Sequence, residues 1–275
     1  MNWLQLEGKK IVVCGVSNKR SVGFHIGKRL QAIGAEVIWV CHTEARRDEL
    51  RKRLDGPIYT CDVEQEDQLD ALREELGRDH PELHGLVHSI AFADYSEGPK
   101  PFHQTKKSDF LRAIDVSAFS LVSLAETLRE YFVEDASVVT ISISTTRMAA
   151  ENYGAMAPVK AALDSAVVFL AKSFSRFSNI RFNAVGAGLL KTSSSAGIPG
   201  YLESYLFAEE CTLRKQALKT EEVADTALFL LSPRSSGINA AGVVVDAGMA
   251  VNYFDDRVVE KVTRIPEDPG HRSQP

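Results

Sequence analysis

Lys10-Ile-Val-Val-Cys-Gly-Val-Ser-Asn-Lys-Arg-Ser-Val-Gly-Phe-His-Ile-Gly27 decides the fold. Its first part is a short apolar run closed by a glycine, which predicts a strand over Lys10–Gly15. After Ser21 the apolar residues recur at helical spacing, and a helix is predicted over Val22–Ile33. An unbroken apolar strand suits a parallel sheet buried on both faces. Gly15 allows a tight exit from the strand, Ser21 stands where an N-cap belongs, and Gly23 and Gly27 permit close helix–sheet packing. Such a turn aims the N–H groups of the helix start at the end of the strand, where an anion is stabilised. The stretch is not Gly-x-Gly-x-x-Gly, because Ser17 replaces the second glycine. An ordinary βα turn and a phosphate-binding turn are both open readings here.

The same alternation continues outward. Further strands are predicted at Glu36–Cys41, Ile58–Cys61, Gly85–Ser89, Ser137–Ile143, Ile180–Val185 and Gly242–Asp246. Between them, helical patterns cover Glu44–Leu54, Glu66–Gly77, Lys107–Phe132, Val159–Phe177 and Glu221–Leu231. Alternating β and α segments with short links predict the α/β class: a single Rossmann-type domain with a doubly wound parallel sheet of about seven strands. The domain is expected to span residues 1–255, with a polar C-terminal tail over 256–275. The segment from about 186 to 217 breaks the rhythm with Gly186, Gly188, Gly197, Pro199 and Gly200. An amphipathic stretch with Leu202, Tyr205, Leu206 and Leu213 follows. A long excursion after the C-terminal end of a strand lies where these sheets bind ligands, so it is read as a substrate lid.

The chain has 275 residues, 44% of them hydrophobic, enough for one large core. A net charge of −5 argues against a nucleic-acid or anionic-membrane partner. No apolar run approaches the roughly 20 residues that span a bilayer. The N-terminus lacks the layout of a signal peptide, and a cytoplasmic protein is expected. The four cysteines, Cys14, Cys41, Cys61 and Cys211, form no Cys-x-x-Cys pair and no metal-spaced cluster. Cys14, Cys41 and Cys61, at strand ends, read as small buried thiols.

Asn152-Tyr-Gly-Ala-Met-Ala-Pro-Val-Lys160 places a tyrosine seven positions before a lysine. A phenol can hydrogen-bond an oxygen that becomes negative as hydride arrives, and a nearby cation favours that charge. Pro158 is tolerated only in a helix's first turn, which puts Tyr153 at the mouth of the helix and Lys160 just inside. A chance surface pair has the same spacing. At the tip of the second strand, Trp39-Val-Cys-His42 carries no acidic residue to clasp an NAD ribose. Arg46 and Arg47 follow, either to meet a 2′-phosphate or simply to open a helix into solvent, so NADH and NADPH are both admitted. Asp62-Val63 is placed to face an adenine, and Ser89-Ile90-Ala91 has the small residues that let a cofactor lie near the backbone.

Together these pieces resemble the short-chain dehydrogenase/reductase superfamily, and more narrowly the bacterial enoyl-acyl-carrier-protein reductases. The similarity runs from about Leu6 to about Met249 and rests on four stretches. These are Gly15-Val-Ser-Asn-Lys-Arg-Ser21, His88-Ser-Ile-Ala-Phe-Ala93, Tyr153-x6-Lys160 and Asn183-Ala-Val-Gly-Ala-Gly-Leu-Leu-Lys-Thr192. The resemblance implies an oxidoreductase of fatty-acid biosynthesis that reduces trans-2-enoyl thioesters with NADH or NADPH. Tyr153 and Lys160 would be catalytic. Gly15, Ser21, Val22, His42, Asp62, Val63, Ser89, Ile90, Ala91, Lys160, Leu190 and Thr192 would bind the cofactor, and no metal is implied. It also implies a homotetramer whose substrate arrives on an acidic acyl-carrier protein.

Three departures from the family pattern stand out. Ile143 occupies the place of a second tyrosine ten residues before Tyr153. Ser142 and Ser144 flank it, but strand alternation should point them elsewhere. Leu189 replaces an expected proline, and Pro158 replaces an ordinary helix residue. Two other readings follow: a carbonyl reductase of the same superfamily, and a non-catalytic nucleotide-binding homologue. Neither Tyr-x3-Lys nor a serine at 143 is present for the first, while Ile143 and Leu189 motivate the second. His88, inside an apolar strand, reads as a hydrogen-bonded core residue. Phe169, Phe174 and Phe177 read as core or subunit interface.

Overall fold

A computed structural model of the chain describes residues 3–98, 100–144, 146–147, 149–150, 153–192, 195–198 and 200–263. Seven strands form one parallel sheet: β1 (Lys10–Cys14), β2 (Glu36–Cys41), β3 (Ile58–Thr60), β4 (Leu83–His88), β5 (Phe132–Ile143), β6 (Arg181–Ala187) and β7 (Ala241–Val245). Their order is β3-β2-β1-β4-β5-β6-β7, so the chain reverses direction of travel between β1 and β4. Every neighbouring pair is parallel, from Val12 opposite Ile38 on one side to Ala187 opposite Val245 on the other. The predicted Rossmann-type sheet is the one observed.

Helices cover both faces. On one lie α1 (Val22–Ala32), α2 (Glu44–Leu50) and α8 (Thr220–Leu231), packed in a core with Ile26, Leu50, Trp39, Val87 and Leu228. On the other lie α3 (Glu66–Asp79), α4 (Lys107–Ile114), α5 (Ser120–Thr127) and α6 (Met156–Phe174), with Leu72, Leu121, Val138, Leu163 and Phe182 at their centre. This double burial is why the strands read as continuous apolar runs. Two more helices, α7 (Tyr201–Cys211) and α9 (Asp256–Thr263), pack on each other beyond the sheet's C-terminal edge.

Several boundaries differ from expectation for physical reasons. The pattern over Lys107–Phe132 reads as one helix, but a π-helical turn at Asp115–Phe119 separates α4 from α5. Ser117 in that turn is fully buried, accepts from Phe92 N at 2.8 Å and donates to Phe92 O at 3.0 Å. A bulge of this kind fits one extra residue so that one side chain can be re-aimed. Phe132 ends no helix; it begins β5. β6 runs two residues past Val185, because Gly186 and Ala187 pair with both β5 and β7, so the excursion starts after Ala187 and not at 186. The tail expected from 256 begins as α9, anchored by ion pairs of Arg257 and Lys261 with Glu210 at 3.9 and 2.7 Å. The rest of that tail, 264–275, lies outside the described residues.

His88 hydrogen-bonds Thr140 at 2.7 Å and Ser120 at 2.8 Å inside the core, as expected of a buried polar ring. All four cysteines are buried and unpaired. Burial pushes the Cys41 thiol up to about 11 and the Cys61 thiol up to about 12, so both are inert protonated thiols at neutral pH. Among the described residues no helix is long and apolar enough to cross a membrane, and no group of side chains could hold a metal ion.

Candidate active site

The site grows from the β1–α1 turn. Gly15 has φ +88°, and a Cβ there would stand 2.1 Å from the Ser89 carbonyl oxygen. Only glycine fits, and its bareness lets the β1 turn lie against the β4 loop. Ser21 occupies the N-cap position of α1 without capping it: its hydroxyl turns back to donate to Asn18 O at 2.7 Å. The first turn of α1 thus has no side-chain cap, and its amides face the end of β1. Such a helix start could hold a phosphate, which the positive end of the helix would stabilise.

A cavity of about 610 Å³ opens at this point, along the C-terminal edge of the sheet. It brings together ten of the thirteen residues singled out from sequence: Gly15, Ser21, Val22, Ser89, Ile90, Ala91, Tyr153, Lys160, Leu190 and Thr192. Outside it stand His42, Asp62 and Val63, which lie past the ends of β2 and β3. His42 and Asp62 face each other at 3.4 Å on that flank. Arg46 and Arg47 are paired within α2, to Glu49 at 2.6 Å and to Glu44.

Pro158 is the third residue of α6, in the first turn where its ring costs nothing. Tyr153 lies just ahead of that helix and Lys160 just inside, as the sequence predicts. The Lys160 ammonium is buried and donates to Ile141 O at 2.9 Å and Ile90 O at 3.2 Å. It therefore clamps the end of β5 to the loop after β4, both of which line the cavity. Burial lowers its pKa to about 8, while the Asp164 carboxylate works in the opposite direction. Burial raises the Tyr153 phenol above its ordinary range, with Tyr95 and Tyr201 adding to the shift. The phenol thus stays protonated at neutral pH and can donate a hydrogen bond.

Sequence reasoning missed several residues. Tyr95 lines the cavity and donates to Tyr153 O at 3.2 Å. Tyr201, the first residue of α7, donates to Leu190 O at 2.7 Å and accepts from Leu190 N at 3.0 Å. Ser195 accepts from Thr192 N at 2.9 Å and donates to Leu190 O at 2.8 Å, closing the knot. The available signal was position: all three sit in segments that leave the C-terminal ends of β4 or β6. Ile141, Ser142 and Ile143 all line the cavity, so alternation does not remove Ser142, because the end of β5 meets the cavity edge-on.

A second cavity, of about 690 Å³, begins where the first ends. Ile143, Tyr153, Ala187, Gly188, Ile198 and Tyr201 line both. From there it runs between α7 and the segment Met249–Val258.

Comparison with known proteins agrees with this geometry. The profile of the family described as Enoyl-(Acyl carrier protein) reductase matches residues 15–250. The NADPH enoyl-[acyl-carrier-protein] reductase FabI of Staphylococcus aureus (strain MRSA252) is 34% identical over 251 residues, covering 89% of this chain and 98% of that protein. The NADH enzyme of the same name from Bacillus subtilis is 32% identical over 256 residues, covering 90% and 97%. The crystal structure of the NADH enoyl-[acyl-carrier-protein] reductase from Aquifex aeolicus VF5 superposes with a TM-score of 0.86 at 29% identity, covering 90% of this chain and 99% of that one. A match spanning nearly the whole sheet and every segment around the cavity places the chain in the enoyl-(acyl carrier protein) reductase family.

Proposed function

We propose that this protein reduces the carbon–carbon double bond of trans-2-enoyl thioesters carried on acyl-carrier protein, using NADH or NADPH. The observation that carries the reading is one cavity holding the uncapped start of α1, the buried Lys160 ammonium and the protonated Tyr153 phenol. The bare Gly15 and the α1 amides fit a pyrophosphate, so Gly15, Ser21 and Val22 would hold that part of a dinucleotide. Ser89, Ile90 and Ala91 would flank it, with His42, Asp62 and Val63 on the adenine side and Leu190 and Thr192 on the nicotinamide side. A reduced nicotinamide held there would supply the hydride for the β-carbon of the substrate.

Tyr153 donates its hydrogen bond to the thioester carbonyl, whose oxygen gains negative charge as the double bond shifts toward the enolate. Lys160 holds positive charge beneath the site and, through Ile90 and Ile141, fixes the walls against which cofactor and substrate lie. The enolate then takes a proton from solvent water at its α-carbon, leaving hydroxide to be neutralised by buffer, to complete the saturated thioester. The segment from Gly188 to about 217 serves as a lid, with α7 hung from Leu190 by the Tyr201 hydroxyl. We further propose a cytoplasmic homotetramer. Unpaired cysteines suit a reducing compartment, and exposed apolar side chains on α4, the π-helical turn and α6 suit contact with copies of the chain.

Replacing Tyr153 by Phe tests the assignment. Loss of one donor to a developing oxyanion costs about 100-fold or more in kcat. NADH and NADPH oxidation with crotonyl thioester should therefore nearly stop while KM changes little. Undiminished turnover in Tyr153→Phe would remove the tyrosine from the mechanism. Cofactor binding by the wild type without any turnover would favour the non-catalytic nucleotide-binding reading.

A further inference from the structure

Tyr95 stands against the main chain that carries Tyr153. Its hydroxyl donates to Tyr153 O at 3.2 Å, and a Cβ built at Gly154 would touch its ring at 3.6 Å. Gly154 has φ +57°, the left-handed turn by which the chain passes from Tyr153 into α6. Other supports of that turn are weak. The Tyr153 N–H reaches Ala150 O at a long 3.4 Å, and Ala155, at the N-cap of α6, has no side chain to cap with. A small cavity of about 110 Å³, with Tyr95, Gly154 and Ala155 in its lining, leaves the turn unpacked on that side. Two other neighbours give the turn no bond. Ile143 has no polar side-chain atom, and the Tyr201 hydroxyl is committed to Leu190 as donor and acceptor. Tyr95 itself is presented by a tight turn: its carbonyl accepts from Gly98 N at 3.0 Å, and the Asp94 carboxylate accepts from Ser96 N at 2.8 Å. Glu97, in the same turn, pairs with Lys106 just before α4. Burial pushes the Tyr95 phenol up to about 12, so it keeps its proton and remains a donor at neutral pH.

We propose that Tyr95 is a positioning residue, whose hydroxyl fixes the main chain of Tyr153 so that the Tyr153 phenol meets the carbonyl oxygen of the substrate. It acts through Tyr153 and not on the substrate itself. A hydrogen bond of 3.2 Å is long, and its loss should cost little stability. A misplacement of about 1 Å at a reacting group, by contrast, costs about 100-fold in rate. The hydroxyl therefore matters to turnover far more than to folding. The inference rests on the reductase reading above, which gives Tyr153 its role, and the test separates the two.

Tyr95→Phe keeps the ring and removes only the hydroxyl. With crotonyl thioester it should lower kcat about 10- to 100-fold, while the cofactor dissociation constant, read by nicotinamide fluorescence, changes less than about twofold. Tyr95→Phe combined with Tyr153→Phe should be no slower, within about twofold, than Tyr153→Phe alone, because the phenol being positioned is already gone. Full kcat in Tyr95→Phe overturns the proposal and leaves the reductase reading intact. Losses that multiply in the double variant overturn it too, since they would give Tyr95 a role apart from Tyr153. Hydrogen exchange covers the converse. Without turnover in the wild type the reductase reading falls, and the anchor is judged by amide exchange in the peptide carrying residues 154–159. Faster exchange there in Tyr95→Phe keeps the anchor, and unchanged exchange overturns it as well.

Discussion

Lys160 shows what a single residue is made to do here. A primary ammonium that is 3% exposed, with two carbonyl oxygens and no carboxylate at ion-pair distance among the described residues, is costly to bury. Burial lowers its pKa from the ordinary 10.5 to about 8 in the folded chain. The charge therefore works against folding at neutral pH, and that cost fades as pH rises from about 8 to 10.5. A cation retained at such a cost points to use in the site. The activity follows the same titration. The kcat/KM of the free enzyme should be level below pH 8 and fall about tenfold per unit well above it, as the ammonium is lost. Two neighbours can be set aside as the source of that limb. Burial holds the Tyr153 phenol protonated past this range, and burial, with Lys160 adding to it, pushes His88 down to about 3. Lys160→Arg keeps a charge that does not titrate below pH 12, so its slower reaction should lose the alkaline limb. An unaltered limb in that variant would assign the titration elsewhere.

Elements meet through equally particular contacts. α1 rides on β2 so closely that a Cβ at Gly27 would stand 2.1 Å from the Trp39 ring. Trp39 is fully buried and donates from its indole N–H to Asp55 O at 2.9 Å, so it has nowhere to go. Gly27→Ala should therefore destabilise by about 1–3 kcal/mol, since overpacking forces either helix or ring to shift. Thermal unfolding reads this as a lower Tm, by about 2–4 °C per kcal/mol, and an unchanged Tm would mean that α1 slides freely. This contact was legible in the sequence, because glycines at 23 and 27 follow a strand and lie on one helix face. The strands were legible for a similar reason: burial on both sides writes them as apolar runs. The break between α4 and α5 was not. It depends on Ser117 bonding Phe92, and a hydrogen bond between residues 25 apart leaves no period in the sequence. Tyr201 escaped likewise, since its partner Leu190 lies across a glycine-rich loop. α9 was hidden by polarity, as its docking relies on Glu210 rather than on an apolar face.

At the scale of the whole molecule, one set of exposed apolar side chains surrounds the lid and a second set lies away from the site. The first cavity lies beside β1 and β4, where the strand order reverses and parallel sheets leave a crevice. Leu111 on α4, Phe119 in the π-helical turn, Val168 and Phe169 on α6 and Phe177 just beyond it are instead largely exposed. Phe169 is 74% exposed, while Phe174, five residues on, is buried against Phe182 at a centroid distance of 4.9 Å. One face of α6 thus packs its own sheet and the other offers aromatic rings to a second molecule. Self-complementary contact of such faces builds symmetric oligomers. The wild type should sediment as four chains, and the double substitution Phe169→Asp with Phe177→Asp should yield a smaller species with unchanged circular dichroism. Burying two carboxylates in an apolar interface costs far more than these rings contribute when left in water, so dissociation should be complete at micromolar protein. A monomeric wild type, or a tetramer that tolerates both aspartates, would move the interface away from α6 and leave its exposed rings to another partner.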